Sequence, residues 1–444
     1  MKKSSLIGHT VEVYDLILRG GPPADSILDT FFRSHKYLGS HDRRFVAETV
    51  YGMLRHKMRL EWLIRIAETK FLDSQESHHS LLLCYVFLVV IRGENSDTFF
   101  DGVESNPEDR KTLHLLIDEA KSRNGALDAG PHSDTDPVDQ LALEFSFPEW
   151  IVKQWLEQFG ASETVELCKS LNIPAPLTLR VNTIKATVEE CRRALGDEKI
   201  ETEPTKFSSV GLTLRRRINV FQLEAFRKGF FEVQDEGSQL LSLLVDPKPR
   251  STVIDACAGG GGKSLAIASL MKNRGVIYAL DINAFRLDGL RKRIRRSGVD
   301  TIRVRTVEED QLPPDLIEAG DNVLVDAPCS GLGTIRRNPG IKWSVTPETV
   351  AELHTKQLKI LTHYSRSVRL HGRLIYATCT SMKSENEDVV EEFLAGHPQF
   401  EFMEPASILQ RYQLESLTTE KYFRLLPHVH NTDGFFAAVL RRKA

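Results

Sequence analysis

Apolar residues recur at helical spacing from the start of the chain to about Asp118. Val11, Leu16, Ile17 and Leu18 predict a helix that the Gly20-Gly21-Pro22-Pro23 turn stops. Phe45, Val46, Val50, Met53 and Leu54 form the stripe of another, ringed by Arg43, Arg44, Arg55 and Lys57. That ring reads as a solvated face on a core helix, with an RNA-backbone surface as the sharper alternative. The run Leu81–Ile91 is too short to span a bilayer and reads as a buried helix. Ser122–Asp139, rich in Gly, Ser, Asp and Pro, reads as a linker.

From Pro148 the pattern mixes periods. Trp150, Ile151, Trp155 and Phe159 share a helical face. Leu177–Asn182, Gly211–Arg217 and Gly229–Gln234 read as strands around a helix over Val188–Leu195, a small α+β module. From about Ser251 strands and helices alternate. Thr252–Asp255, Gly275–Asp281, Asn322–Asp326 and Gly372–Ala377 are the predicted strands, and Ser264–Met271 and residues 284–296 the predicted helices. Such alternation argues for an α/β fold with a parallel sheet covered on both faces, its ligands bound beyond the carboxyl ends of the strands. Asp255, Asp281, Asp326 and Cys379 fall at those ends. The expected domains are a helical one over residues 1–135, the α+β module over 136–245, and the α/β domain over 246–444.

Composition narrows the class. A chain of 444 residues suggests two or three domains. The net charge of -3 leaves nucleic-acid contact to local patches. The 6 cysteines show no C-x-x-C spacing, so neither a zinc site nor a redox dithiol is indicated, and no metal is expected. The N-terminus lacks the apolar core of a signal peptide, which points to the cytoplasm. No oligomer seam stands out, and a monomer is expected.

The turn Asp255–Ser264 carries four consecutive glycines, Gly259 to Gly262. A P-loop would need glycine where Cys257 stands, and the dinucleotide fingerprint fits only in part. A third reading is an adenosyl-methionine loop, with Asp281 at the next strand end for the ribose hydroxyls. A plain strand-to-helix turn needs fewer glycines.

Two cysteines directly follow apolar strands, Cys329 in Val325-Asp-Ala-Pro-Cys-Ser-Gly331 and Cys379 in Tyr376-Ala-Thr-Cys-Thr380. Carbon 5 of a pyrimidine is a poor nucleophile. A thiolate adding at carbon 6 makes it an enamine carbon able to attack a methyl sulfonium. The chemistry needs one reactive cysteine, an acid near the ring and a base for release. Asp326 suits a contact to the cytosine amino group and N3, or else caps the next turn. Lys263 suits an anchor for Asp326, or faces solvent. Cys84, Cys168, Cys191 and Cys257 read as packing.

These strings, with Arg336–Trp343, Glu385-Asn-Glu387, Asp433–Phe436 and Phe231–Gln239, resemble the bacterial RNA 5-methylcytosine methyltransferases of the Fmu/Sun type over about residues 145–442. The resemblance implies a Rossmann-like domain that binds S-adenosyl-methionine, with Cys379 as nucleophile and Cys329 assisting product release. It implies that Asp326 and Lys263 orient and protonate the base. The cofactor would lie against Cys257, Ala258, Gly259, Gly260, Gly261, Gly262, Lys263, Asp281 and Asp326, with Asp310 as a further acid and Glu308 and Glu309 as rivals. The first domain, closest over Asp42–Leu60, is similar to the NusB-like RNA-binding domain of the subgroup that methylates small-subunit ribosomal RNA.

The expected partner is therefore RNA, most of all small-subunit rRNA, with no membrane. Arg336 and Arg337 are expected to rim the cleft and meet phosphate, Arg215–Arg217 form a second basic cluster, and Arg291–Arg296 are expected on a solvated outer face. The alternatives are tRNA as substrate, or a non-catalytic ribosome-assembly factor. An amino-group methyltransferase would carry an Asn/Asp-Pro-Pro-aromatic loop where this chain has Asp-Ala-Pro-Cys.

Overall fold

The computed structural model describes residues 1–71, 79–95, 107–128, 136–309, 311–419 and 421–443. It divides into two compact units, Met1–Ile173 with Ile335–Val345, and Pro174–Thr334 with Thr346–Ala444.

The first unit is helical. Its main elements are α1 (Lys3–Leu18), α2 (Ala24–Ser34), α3 (Ser40–Arg55), α4 (Lys57–Phe71), α5 (His79–Val86), α6 (Pro107–Asp128), α7 (Pro137–Phe145) and α8 (Glu149–Leu171). The apolar stripes meet in one core that includes Tyr14, Phe31, Val46, Val50, Met53, Leu63 and Leu88. Gly52 lets α3 close on the chain after α5, because a Cβ there would stand 1.9 Å from the Phe87 ring. Helix α6 continues to Asp128 and α7 begins at Pro137, so helical backbone enters both ends of the stretch read as linker, and 129–135 lie outside the described residues. Pro137 and its Asp136 cap are helix-starting signals there.

A piece of chain from far downstream completes this unit. Trp343 packs against the helical core and donates its Nε1 proton to Leu54 O at 2.6 Å. Lys342, wholly buried, donates to Arg55 O at 2.8 Å and Asn172 Oδ1 at 3.2 Å, and its ammonium lies 3.9 Å from the Phe147 ring centroid. Burial holds its pKa well below the ordinary lysine value.

The second unit opens with a small antiparallel sheet in the order β2-β3-β1-β4, made of β1 (Thr178–Val181), β2 (Thr202–Pro204), β3 (Gly211–Leu214) and β4 (Phe231–Val233). Helix α9 (Val188–Asp197), started by a Thr187/Glu190 capping box, packs Cys191 and Leu195 on it. Helix α10 (Glu236–Leu244) then leads into the larger sheet.

That sheet comprises β5 (Thr252–Asp255), β6 (Val276–Asp281), β7 (Ile302–Thr306), β8 (Gly320–Asp326), β9 (Val368–Thr378), β10 (Phe400–Met403), β11 (Thr418–Thr419), β12 (Tyr422–Leu425) and β13 (Phe435–Arg442). Its order is β11-β12-β13-β9-β8-β5-β6-β7, with β10 on β13. Helices α11 (Gly262–Leu270), α12 (Ala284–Ser297), α13 (Pro347–Ser365) and α14 (Glu387–Gly396) accompany it. The strands β5 to β9 pair in parallel, a Rossmann-like arrangement, and the chain leaves β5 toward β6 on one side and returns at β8 on the other. A switch point of this kind makes a crevice beyond the strand ends.

The sheet is not parallel throughout. Strand β13 runs antiparallel to β9 with Phe436 opposite Thr378, and β10 and β12 pair antiparallel with β13. Its continuous buried run Phe435–Leu440 suits an interior strand and cannot by itself give direction. This register brings Gly434 to the Cys379 strand end. Gly434 N donates to Gly333 O at 2.8 Å and Gly333 N to Cys379 O at 2.9 Å. A Cβ at Gly333 would meet Gly434 O at 2.4 Å, so only glycine allows the approach.

Candidate active site

Each expected acid stands where a strand stops. Asp255, Asp281 and Asp326 are the last residues of β5, β6 and β8, and Cys379 follows the last residue of β9. Parallel pairing puts these ends side by side. Asp255 lies opposite Leu324, and Asp326 lies opposite Ala377.

After β5 the chain turns through Gly259 and Gly261, both with positive φ, into α11. A Cβ at Gly261 would collide with Leu290 of α12 at 2.1 Å, whereas one at Gly259 would meet nothing within 4 Å. One glycine therefore lets the loop pack and the other leaves open space beside the backbone. Gly259 N donates to Asp281 Oδ2 at 2.7 Å, and Asn283 N donates to Asp281 Oδ1 at 2.8 Å. The exposed Ile282 comes next. An acid at a strand end beside an open glycine turn fits a nucleoside-bearing cofactor. Cys257 is half-buried in the same loop, and burial raises its thiol pKa far above the ordinary value. Asp310 lies outside the described residues.

Asp255 is 1% exposed. Ser264 Oγ donates to its Oδ2 at 2.5 Å, while Oδ1 has no partner among the described residues. Burial pushes its pKa up to about 7; the Ser264 bond opposes this and the Asp326 charge adds to it. The unfolded carboxyl titrates near about 3.9. The stabilising contribution is therefore complete in acid and is lost as pH rises through about 7. Wild-type stability should drop by on the order of 2 kcal/mol from about pH 5 to pH 8 through this group. Melting curves of Asp255→Asn across that range should lack this component.

Lys263, at the start of α11, donates to Asp326 Oδ2 at 2.6 Å. The side chains are 13% and 27% exposed, so the pair is shielded yet reachable from the cleft. Burial pulls the lysine pKa down, but Asp326 and Cys379 outweigh it and the net shift is upward. The Lys263 ammonium also lies 5.6 Å from the Phe435 ring centroid.

The Cys329 and Cys379 sulfurs are 3.3 Å apart. Both residues are partly buried, and Cys379 N donates to Cys329 Sγ at 3.3 Å. The bond to Cys379 and burial raise the Cys329 thiol pKa well above its ordinary value. Cys84, Cys168 and Cys191 are fully buried elsewhere, with burial pushing each thiol up to about 12.

Beneath the thiols lies a residue that the sequence reading named only within a resembling string. Glu385, with no exposed surface, accepts from Ser330 N at 2.8 Å, Ser330 Oγ at 2.5 Å, Thr380 Oγ1 at 2.9 Å and Gln357 Nε2 at 3.0 Å. A hydroxyl residue directly after each cysteine was the available signal.

The basic residues are placed differently from expectation. Arg336 is 5% exposed within the helical unit, its Nε donating to Ile173 O at 3.3 Å and its carbonyl accepting from Arg55 at 3.1 Å. The strap that carries it is drawn into the helical core, which leaves little of the side chain to meet phosphate. Arg337, beside it, is half-buried in the same strap. Arg293 and Arg296 turn inward to the buried Glu232, at 3.0 and 2.6 Å, which corrects their assignment to an outer face. Arg291 and Arg295 do face outward, lining an open groove of about 640 Å³ with Arg303 and Arg305 of β7. Arg215 pairs with Glu201 and Glu203.

Fold and site together define a methyltransferase whose cleft holds two adjoining thiols. Residues 242–441 match the family model described as 16S rRNA methyltransferase RsmB/F, and residues 147–221 match the ferredoxin-like domain of RsmF/B-like proteins. The Bacillus subtilis protein named "Probable ribosomal RNA small subunit methyltransferase B" is 32% identical over 100% of both chains. The Schizosaccharomyces pombe "25S rRNA (cytosine-C(5))-methyltransferase nop2" is 29% identical over 69% of this chain and 53% of its own. The crystal structure of PH0851 superposes with a TM-score of 0.77 at 25% identity, covering 99% of each chain. The chain belongs to the RsmB/F, or Fmu/Sun, family of SAM-dependent RNA (cytosine-C5)-methyltransferases. Among the described residues, no helix is long and apolar enough to cross a membrane.

Proposed function

We propose that this protein methylates carbon 5 of a cytosine in small-subunit ribosomal RNA through a transient bond between Cys379 Sγ and carbon 6. The observation that carries the reading is the 3.3 Å separation of the two sulfurs at neighbouring strand ends, beside the Lys263–Asp326 pair. Small-subunit rRNA is favoured because the Bacillus subtilis relative of that name aligns over the whole chain, helical unit included.

S-adenosyl-methionine, held against residues 257–263 and Asp281, supplies an electrophilic methyl group. Asp326 accepts from the cytosine amino group and from the proton that N3 takes up as carbon 6 is attacked, while Lys263 fixes the carboxylate. The Cys379 thiolate forms the bond to carbon 6, and its electron pair passes through the ring to carbon 5. After methylation, Cys329 removes the carbon-5 proton. The returning electrons re-form the ring double bond and break the carbon–sulfur bond, which frees Cys379. A duplexed cytosine cannot reach two recessed thiols, so the target base must leave its stack.

The test is methyl transfer from labelled S-adenosyl-methionine to RNA of cells lacking the gene, with bisulfite mapping. One modified cytosine in the small-subunit rRNA is expected. Label confined to tRNA would move the substrate assignment, and tight RNA binding with no transfer would overturn the enzymatic one.

A further inference from the structure

Three metal-binding side chains converge on the helical unit. His9 and Glu12 stand three residues apart on α1, a spacing that sets both on one face of the helix. His35 directly follows the last residue of α2. One ring nitrogen from each histidine and one Glu12 oxygen all lie within 4.8 Å of one another. Cysteine spacing gave no reason to expect a metal, but this cluster contains no cysteine.

The hydrogen bonds around the cluster fix where lone pairs point. His35 Nδ1 lies 2.9 Å from Phe31 O, and a carbonyl oxygen only accepts, so Nδ1 carries a proton. In the neutral ring Nε2 then keeps its lone pair, the form in which an imidazole binds a cation. The Ser34 hydroxyl, 3.1 Å from Nδ1, does not change this, since its one proton goes to the same carbonyl at 2.8 Å. The His35 ring is also held in place. It stacks on the buried Phe31 ring with centroids 4.0 Å apart, and the two imidazoles meet edge to face at 5.2 Å.

His9 Nδ1 faces Glu12 Oε2 at 3.4 Å. An ordinary N–H···O bond is shorter, about 2.7 to 3.2 Å. Bonds of about 2.0 to 2.1 Å from one tetrahedral zinc centre set their outer atoms about 3.3 to 3.4 Å apart. The observed gap therefore suits two ligands of one ion better than a direct pair. Coordination through Nδ1 places the His9 proton on Nε2, which donates to the Tyr37 hydroxyl at 3.0 Å. The His9 side chain is 16% exposed and that of Glu12 52%, so the imidazole is shielded while the carboxylate opens the site to solvent. Two imidazoles and one carboxylate suit zinc rather than magnesium or calcium, which favour oxygen alone.

We propose that His9, Glu12 and His35 form a binding site for a divalent cation of the zinc class, which ties α1 to the end of α2. His9 Nδ1, His35 Nε2 and a Glu12 oxygen are the ligands, water completes the tetrahedron, and Tyr37 orients His9 from outside. The site does not depend on the methyl-transfer reading.

The test uses the full-length protein, stripped with a chelator and titrated with zinc chloride against a chromogenic competitor near neutral pH. One equivalent should bind with micromolar affinity or tighter. Glu12→Gln should weaken it at least about tenfold, His35→Ala at least about a hundredfold, and Tyr37→Phe about tenfold. Glu12 is exposed, so its loss cannot act by unfolding the core. If His35→Ala does not fold, Glu12→Gln and His9→Gln decide the matter. The adjoining Cys329 and Cys379 thiols are a rival zinc site, and cobalt separates the two. A cobalt complex of this cluster should show visible ligand-field bands without sulfur charge transfer, and those bands should vanish in Glu12→Gln. Three results overturn the proposal: no binding at micromolar zinc, binding that the Glu12 and histidine variants leave unchanged, or a cobalt spectrum of thiolate character alone.

Discussion

With Cys329 replaced by alanine, a covalent protein–RNA complex is expected to accumulate and to survive denaturing electrophoresis. The Cys379→Ala protein should give no such band and lose at least about a thousandfold in methyl transfer. The two effects differ in kind because the two sulfurs act at different moments. Removing the attacking sulfur stops the reaction before any bond forms. Removing the other leaves attack and methylation intact but strands the product on the enzyme. The 3.3 Å separation allows both to meet one pyrimidine. A Cys329→Ala protein that turns over normally, or a Cys379→Ala protein that forms the adduct, would reverse the proposed roles.

The second large effect is expected at Asp326. Asp326→Asn preserves size but removes the charge and replaces one carboxylate oxygen with an NH2 group, which donates and cannot accept from Lys263. It also leaves that lysine, 13% exposed, without its 2.6 Å ion-pair partner. A loss of about 10² to 10⁴ in kcat is expected from the missing acid–base and orienting group. The second substitution, Lys263→Met, should cost less, because Asp326 is exposed enough to be solvated in its place. Single-turnover rates at saturating cofactor separate this from weakened cofactor binding. Equal losses in both variants would mean that the pair acts as one unit.

The crevice was readable in the sequence because strand ends are local events. Apolar runs closed by Asp255, Asp281 and Asp326, and a run of glycines that no ordinary turn requires, need no knowledge of distant contacts. The cysteines were readable for the same reason. What escaped depends on partners far away in the chain. Arg336 looks like any exposed arginine until the strap that carries it enters a core built by residues more than two hundred positions earlier. Glu385 looks like a solvated helix-start acid, yet its donors come from Ser330, Gln357 and Thr380. The antiparallel strand β13 could not be told from a parallel one, since burial on both faces erases the alternation that gives a strand its side.

The strap Ile335–Val345 has a consequence for vectorial synthesis. The helices of the first unit leave the ribosome long before Lys342 and Trp343, which occupy their core, have been made. At elongation speeds of about 5 to 20 residues per second, the gap lasts on the order of ten to thirty seconds. Throughout it the nascent amino-terminal half must wait with an unfilled slot between Leu54 and Phe147. A gene cut between the two halves would leave that slot open for good.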